Sequence, residues 1–306
     1  MVCNKLRSEL ISLLKEYCTI PPIEASELEN LLNYLKLQQV DFTGYKRSTL
    51  MRRLLSRMQK IRVEHYQNYR DYLEQHPDEL HHLLNTVFIN FTHFFRDRPV
   101  WDYLANQLIP QIISTKRSDE PIRVWSAGCA SGEETYSLAM LLAEALGLEQ
   151  FQQRVRLFGT DVDQDALTQA RQGYYPAHVV EAIPHSLLKQ YFDSTNQGYL
   201  WRNDLRHSLI FCRHDLIQFP PFSRIDLLVC RNTLMYFTAK TQIQALVRFH
   251  FSIADSGFLL VGQAENPTVY HPSPLFTPVD RQMRVFAKVP NAHRTSRLLP
   301  MAFRCS

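Results

Sequence analysis

At 306 residues, with 45% hydrophobic and 21% charged residues, the chain has room for about two domains, each able to bury its own core. No run of ~18 apolar residues is present to span a bilayer, and Met1 to Glu9 lack the long apolar stretch of a secretory signal. Six cysteines stand apart without a Cys-x-x-Cys pair and the formal net charge is only +4, which argues against zinc ligation, a disulfide framework or direct membrane insertion and for a cytoplasmic protein with reduced thiols.

The front section, 1–88, reads as all-helical. From Ser8 to about Leu84 apolar residues recur at helical spacing with no Gly-rich linker between them. Within it, Tyr45 to Val63 carries Lys46, Arg47, Arg52, Arg53, Arg57, Lys60 and Arg62 and no acidic residue. Arg53 and Arg57 share a face with Lys46 and Thr49, while Leu50, Leu54, Leu55 and Met58 form the apolar stripe. With so small a net charge the basicity is concentrated here, so Arg53 and Arg57 are expected to meet an acidic partner surface; a solvated basic face is the plainer alternative.

The stretch Ile122-Arg-Val-Trp-Ser-Ala-Gly-Cys-Ala-Ser-Gly-Glu-Glu-Thr-Tyr-Ser137 runs from a strand through a small-residue turn into a helix covering roughly Ser137 to Leu146. Gly128, Ala130, Ser131 and Gly132 let backbone amides at the helix start approach a ligand, or let strand and helix pack tightly. Glu133 and Glu134 in the first turn suit the helix dipole, repel a pyrophosphate and favour a ligand with an ammonium group or ribose hydroxyls. Cys129 here and Cys230 further on read as small packing residues, not nucleophiles. Val155 to Asp161 is a second buried strand, whose terminal carboxylate can accept hydrogen bonds from ribose hydroxyls. Asp161 could instead cap the helix Asp165 to Gln172, although Asp163 fits that position better.

Between Leu187 and Cys212 the runs Tyr191-Phe192, Gly198 to Arg202 and Leu209 to Cys212 suggest a small antiparallel sheet set into the domain. Strands are expected at Ser208 to Arg213, Ile225 to Cys230 and Gly257 to Gly262. Strands alternating with helices imply an α/β fold with a parallel sheet covered on both faces. Ligands bind such sheets at the carboxyl ends of the strands, where Gly128, Asp161, Asp215 and Arg231-Asn232 would fall. The residues 291–306 are polar and basic and read as a disordered tail, or as a docked segment.

Ile89-Asn-Phe-Thr-His-Phe-Phe-Arg-Asp97, Trp125 to Tyr136, Gly159-Thr-Asp-Val-Asp163 and Cys230-Arg-Asn-Thr-Leu-Met-Tyr-Phe237 together resemble the chemoreceptor glutamate methyltransferases of the CheR type, in order from about Phe42 to Lys288. The resemblance implies a Rossmann-like class I methyltransferase domain over 89–290, behind the helical domain and carrying the small β subdomain. It implies S-adenosylmethionine as cofactor, S-adenosylhomocysteine as product, and methyl esters on glutamates of chemoreceptor cytoplasmic domains as the outcome, in chemosensory adaptation. Asn90, Thr92, Arg96, Glu134, Asp161, Arg231 and Asn232 match positions around the cofactor, and Tyr236 matches a tyrosine near the transferred methyl. Where some members have Asn-Leu after the third sheet strand, this chain has Asp215-Leu216; Asp can accept a hydrogen bond from the adenine amino group but cannot donate one. The family's helical domain helps meet the receptor, and its β subdomain can dock a receptor tail peptide by strand addition, which some members lack.

The chemistry asks little of the side chains. A glutamate carboxylate, with a reference pKa of about 4.3, is ionised at neutral pH and needs no general base. Alignment and exclusion of water are what remain to be supplied. Arg96 is expected to orient a carboxylate, Tyr236 to aim a hydroxyl or wall the site, and His93 to shape it without acting as a base. Two other readings stand beside this one. A cofactor-binding docking or sensor module without methyl transfer is one, against which the intact set of Arg96, Arg231-Asn232 and Tyr236 argues. A nucleic-acid methyltransferase is suggested by the basic helix and by Phe219-Pro-Pro-Phe222, but Phe219 replaces a polar residue and the prolines precede the strand. No nucleic acid and no metal are expected.

Overall fold

The computed structural model describes residues 22–265, Pro267, 275–290 and Ala292. Met1 to Glu9 and, apart from Ala292, the tail 291–306 lie outside the described residues. The chain divides into two compact units, Met1–Phe88 and Ile89–Ser306.

Among its described residues the first unit has four helices: α1 (Pro22–Leu37), α2 (Arg47–Lys60), α3 (Tyr66–Gln75) and α4 (Pro77–Val87). Each turns one stripe inward. Leu28, Leu31, Leu32 and Leu35 of α1 pack with Leu50, Leu54 and Met58 of α2, with Tyr69 and Leu73 of α3, and with Leu83 and Val87 of α4. Leu55, expected in the apolar stripe, is exposed. It lies one position past Leu54, about 100° around the helix from the buried face. Among the described residues the one acid buried in this core, Glu79 of α4, takes a bidentate ion pair from Arg57 (Nε to Oε1 2.7 Å, Nη2 to Oε2 2.6 Å) and a hydrogen bond from the Tyr69 hydroxyl at 2.8 Å.

The second unit begins with α5 (Arg98–Tyr103), a π-helical turn over Leu104–Leu108 and α6 (Ile109–Ser114). Pro110, which has no N–H to give, stands just after the widened turn. Then follow β1 (Ile122–Ala127), α7 (Glu133–Leu146), α8 (Leu148–Arg154), β2 (Val155–Asp161), α9 (Gln164–Gln172), β3 (Tyr174–Pro176), α10 (His185–Tyr191), β4 (Phe192–Thr195), β5 (Gly198–Trp201), β6 (Leu209–Arg213), β7 (Ile225–Cys230), α11 (Ala239–Ser252), β8 (Ile253–Val261), β9 (Phe276–Asp280) and β10 (Val285–Lys288). Seven strands form one sheet in the order β6-β2-β1-β7-β8-β10-β9, parallel from β6 to β8, with β10 antiparallel to both neighbours. β7 is buried at every position, as a central parallel strand must be. The order reverses at β1, which opens a crevice at the carboxyl ends of β1 and β7.

The small sheet has the order β3-β5-β4, antiparallel throughout. The run Leu209 to Cys212 is not part of it. β6 pairs in parallel with β2 at the edge of the main sheet, and Tyr174–Pro176 supplies the third strand instead. A 3-10 segment over Asn203–Ser208 carries the chain away from the β4–β5 hairpin to the edge of β2, where β6 finds a parallel partner. Three strands went unforeseen in the sequence, β3, β9 and β10. β9 is an edge strand containing Pro278 and three exposed positions, so it shows neither alternation nor apolar continuity.

Candidate functional site

The turn after β1 holds its shape through three left-handed residues, Gly128 (φ 81°), Ala130 (φ 46°) and Gly132 (φ 98°). Gly128 and Cys129 donate their amides to the Thr160 carbonyl of β2 at 2.7 and 2.9 Å. A Cβ on Gly128 would lie 2.2 Å from the Thr233 hydroxyl, so glycine here lets the turn after β1 approach the turn after β7. Gly132 opens α7 and leaves room for the Tyr175 hydroxyl, which donates to the Ser131 carbonyl at 2.7 Å. The small sheet is thereby bonded to the cradle.

Asp161, at the end of β2, accepts the Ala130 amide on Oδ2 at 2.9 Å and the Asp163 amide on Oδ1 at 3.0 Å. It is not the helix cap. Asp163 takes that role, accepting from the amides of Asp165 and Ala166. Burial pushes the Asp161 carboxyl above the usual carboxylate range against the pull of these amides. Each oxygen keeps a lone pair, so the carboxylate can brace the cradle and still accept from ribose hydroxyls.

Glu134, in the first turn of α7, accepts from the Ser126 hydroxyl of β1 at 2.8 Å and faces Arg231 Nη1 at 3.5 Å. Burial raises its carboxyl, opposed by the Arg231 charge. Arg231 follows β7 with a side chain only 3% exposed. Its Nη2 donates to Asp97 Oδ2 at 2.5 Å and to the Arg96 carbonyl at 3.0 Å, and its guanidinium lies 5.7 Å from the centre of the Trp101 ring. Arg231 therefore joins β7, α7 and the segment 89–97. The other end of that segment is fixed by Asn90, whose amide donates to Asp163 Oδ2 at 2.6 Å. In between, the Phe95 amide donates to the Ser137 hydroxyl at 3.1 Å. Asn90, Arg96, Asp161, Glu134 and Arg231 thus come together around the carboxyl ends of β1, β2 and β7. Arg96 donates to the Phe91 carbonyl at 3.1 Å and lies over the exposed Phe91 ring at 5.4 Å. Thr92 is partly buried and His93 exposed in the same segment. Burial first, then the Arg96 charge, hold the His93 imidazole below its usual range.

Asn232 takes a left-handed conformation (φ 59°) directly after Arg231, and Tyr236 ends a 3-10 turn, partly exposed. Asp215 uses Oδ1 to accept the amides of Ile217 and Gln218 at 2.7 and 3.2 Å, which leaves Oδ2 for a ligand. Leu216 is buried, its carbonyl held by Arg248 of α11 at 3.1 Å. Phe219-Pro-Pro-Phe222 lies ahead of β7. Phe222 stacks on Phe158 at 4.7 Å and on His214 at 5.3 Å, so this run serves packing. Cys129 and Cys230 are buried free thiols that burial pushes well above their usual range.

Sequence reasoning missed Glu265. It lies buried beyond β8 and accepts four backbone amides. Its only sequence signal was an acid just past an apolar strand. In the helical unit the two arginines part company. Arg57 is consumed by Glu79, whereas Arg53 Nε is buried without a hydrogen-bond partner among the described residues. Lys46, Arg52, Lys60 and Arg62 remain exposed on the same stretch.

Among the described residues no helix is long and apolar enough to cross a membrane. The SAM-binding domain of CheR methyltransferases matches residues 90–278, and the all-alpha domain of the same family matches residues 26–88. An uncharacterised 104.1 kDa protein of Rhodobacter capsulatus is 34% identical over 247 residues, which cover 80% of this chain and 26% of that protein. The chain thus spans about a quarter of that relative. A chemotaxis protein methyltransferase of Listeria innocua is 32% identical over 234 residues, covering 76% of this chain and 87% of the relative. Another from Borreliella burgdorferi is 30% identical over 230 residues, covering 72% and 81%.

Proposed function

The chain belongs to the CheR methyltransferase family, and from that membership we propose that it transfers a methyl group from S-adenosylmethionine to glutamate side chains in the cytoplasmic domains of chemoreceptors. The observation that carries the reading is the convergence of the cradle 128–132, Asp161, Glu134 and Arg231 with segment 89–97 at the reversal point of the sheet. The bound cofactor supplies a methyl group made electrophilic by its sulfonium. Asp161, beside the cradle 128–132, would accept from the ribose hydroxyls, and Asp215 Oδ2 and Leu216 would border the adenine. Asn90, Thr92, Arg96 and Asn232 line the remainder.

The substrate carboxylate is already charged, so the protein's task is alignment. Arg96 stands on the partly exposed rim where a carboxylate arrives, and Tyr236 aims its hydroxyl at that carboxylate from the turn after β7. Cys129, Cys230 and His93 take no proton in this scheme. Burial raises both thiols well above their usual range, and burial with the Arg96 charge lowers the imidazole.

Receptor docking falls to the basic stretch of α2, with Arg53 and the exposed Lys46, Arg52 and Lys60 as the free charges and Arg57 as the brace beneath them. A receptor tail peptide at the small sheet fits the same scheme, as does a cytoplasmic location. Incubating the protein with methyl-labelled S-adenosylmethionine and receptor cytoplasmic fragments tests the reading. Base-labile label on glutamate is expected. Cofactor binding with no label in any fragment or membrane fraction would overturn it in favour of a docking or sensor module.

A further inference from the structure

Beyond the residues assigned to cofactor and substrate, one buried acid has both carboxylate oxygens bonded to the turn that carries Arg231, Asn232 and Tyr236. Glu265 follows β8 and is 4% exposed. Its Oε1 accepts the amides of Thr233 at 2.9 Å and Met235 at 3.3 Å. Its Oε2 accepts those of Asn232 at 3.2 Å and Gly262 at 2.7 Å. Three of these four donors lie in the turn after β7, where the strand has ended and its ladder offers no further acceptors. We propose that Glu265 is a positioning residue for methyl transfer, setting the turn from Arg231 to Tyr236 through its backbone without touching cofactor or substrate. This rests on the reading of Tyr236 as the residue beside the reacting carboxylate.

The turn needs such a fixture. Asn232 is held in the left-handed region, which only glycine enters without cost. The carbonyls of Leu234 and Phe237 are gripped from the other side by Gln242 at 2.9 and 3.1 Å, so donors and acceptors of the turn are held by two different side chains. Glu265 is itself pinned, since Arg284 donates to its backbone carbonyl. The end of β8 also presses close. A Cβ on Gly262 would lie 2.9 Å from the Asn232 nitrogen and 2.9 Å from Glu265 Oε2. Only a carboxylate suits this place, because all four partners donate. An amide of the same shape would set its own N–H groups against two of them. A misplacement of about 1 Å at a reacting group can cost ~100-fold in rate, and freeing three amides of a six-residue turn permits a shift of that order.

The test is a double-mutant cycle on the full chain, with methyl-labelled S-adenosylmethionine and a receptor cytoplasmic fragment as substrates. Glu265→Gln is expected to lower kcat by about 10–100-fold, a larger factor than its weakening of S-adenosylhomocysteine, which Asn232 of the same turn borders. Glu265→Asp should recover part of the loss. In a Tyr236→Phe background, Glu265→Gln should cost less than about threefold more, since the hydroxyl it positions is gone. A purely structural role predicts losses that multiply. Hydrogen exchange gives a second readout, in which the amides of Asn232, Thr233 and Met235 exchange at least about tenfold faster in Glu265→Gln while β1 and β7 stay protected. If Glu265→Gln does not fold, Glu265→Asp carries both measurements. Unchanged exchange in the turn, or multiplied losses in the cycle, overturns the proposal. A Tyr236→Phe enzyme as fast as the parent would sink the Tyr236 reading alone, and Glu265 is then judged on the exchange rates.

Discussion

Replacing Asp161 with alanine removes two things at once, and the structure allows both to be weighed. The carboxylate accepts the Ala130 and Asp163 amides at 2.9 and 3.0 Å, and bonds to a charged acceptor are each worth about 1.5–3 kcal/mol. The sum overstates the loss, because burial holds the carboxyl above its usual range. The amides therefore do not fully offset the desolvation that alanine would avoid. A net loss of about 1–3 kcal/mol in unfolding free energy is expected for Asp161→Ala. Losing a ribose acceptor should weaken S-adenosylhomocysteine by a similar ~1–3 kcal/mol, or about 5–150-fold in Kd. Urea unfolding measures the first quantity, and calorimetry on the folded variant measures the second. A folded Asp161→Ala protein that binds within about twofold of the parent would remove Asp161 from the cofactor site. Lost affinity with unchanged unfolding would refute its role as a brace of the cradle.

Arg53 and Arg57 should now separate. Arg57→Ala strands the buried Glu79 and is expected to destabilise the helical unit by about 3–5 kcal/mol, read by urea unfolding, whereas Arg53→Glu should raise the KM for receptor and flatten its salt dependence with stability nearly intact. Equal kinetics for Arg53→Glu and parent at low salt would assign that face to solvent. The helical unit should also be acid-sensitive. Burial alone would raise the Glu79 carboxyl, but Arg57 and Tyr69 more than offset it and hold it below the usual range. Its stabilisation is complete above the unfolded carboxylate pKa of about 4.3 and is lost as pH falls through the lower folded value. Urea midpoints that stay constant from neutral pH down through that window would contradict the pairing. For catalysis, a flat kcat from about pH 6.5 to 8.5 is expected, since the substrate is ionised and His93, which burial and the Arg96 charge hold below its usual range, is not needed as a base. A steep rise across that interval would require a titrating base.

What the sequence disclosed was whatever rests on local order. The cradle, the strand ending in Asp161 and the Asp163 cap are each written in a few adjacent residues, because strand, turn and cap chemistry act over that range. Arg231 was legible as a site residue from its place at the end of a sheet strand and from the resemblance, but its partners Asp97 and Glu134 were not, because they lie far away in the chain. The partner of Arg57 was hidden for the same reason. A helical wheel displays a charged face but not Glu79, 22 residues on, which neutralises it. Glu265 escaped because its partners are backbone amides, and these carry no side-chain signature.

The Arg231 node also dictates when the site can exist. Its bonds to Asp97 and Glu134 span 134 and 97 residues of chain, and closing such long loops is slow compared with forming helices or turns. The cradle, written locally, can form its turn early, whereas the wall supplied by segment 89–97 closes only after β7 has entered the sheet between β1 and β8. Cofactor affinity is thus a gauge of completed assembly rather than of partial collapse. A molecule that stalls before β7 is inserted will be blind to S-adenosylmethionine, and the cofactor will stabilise only chains that have already finished folding.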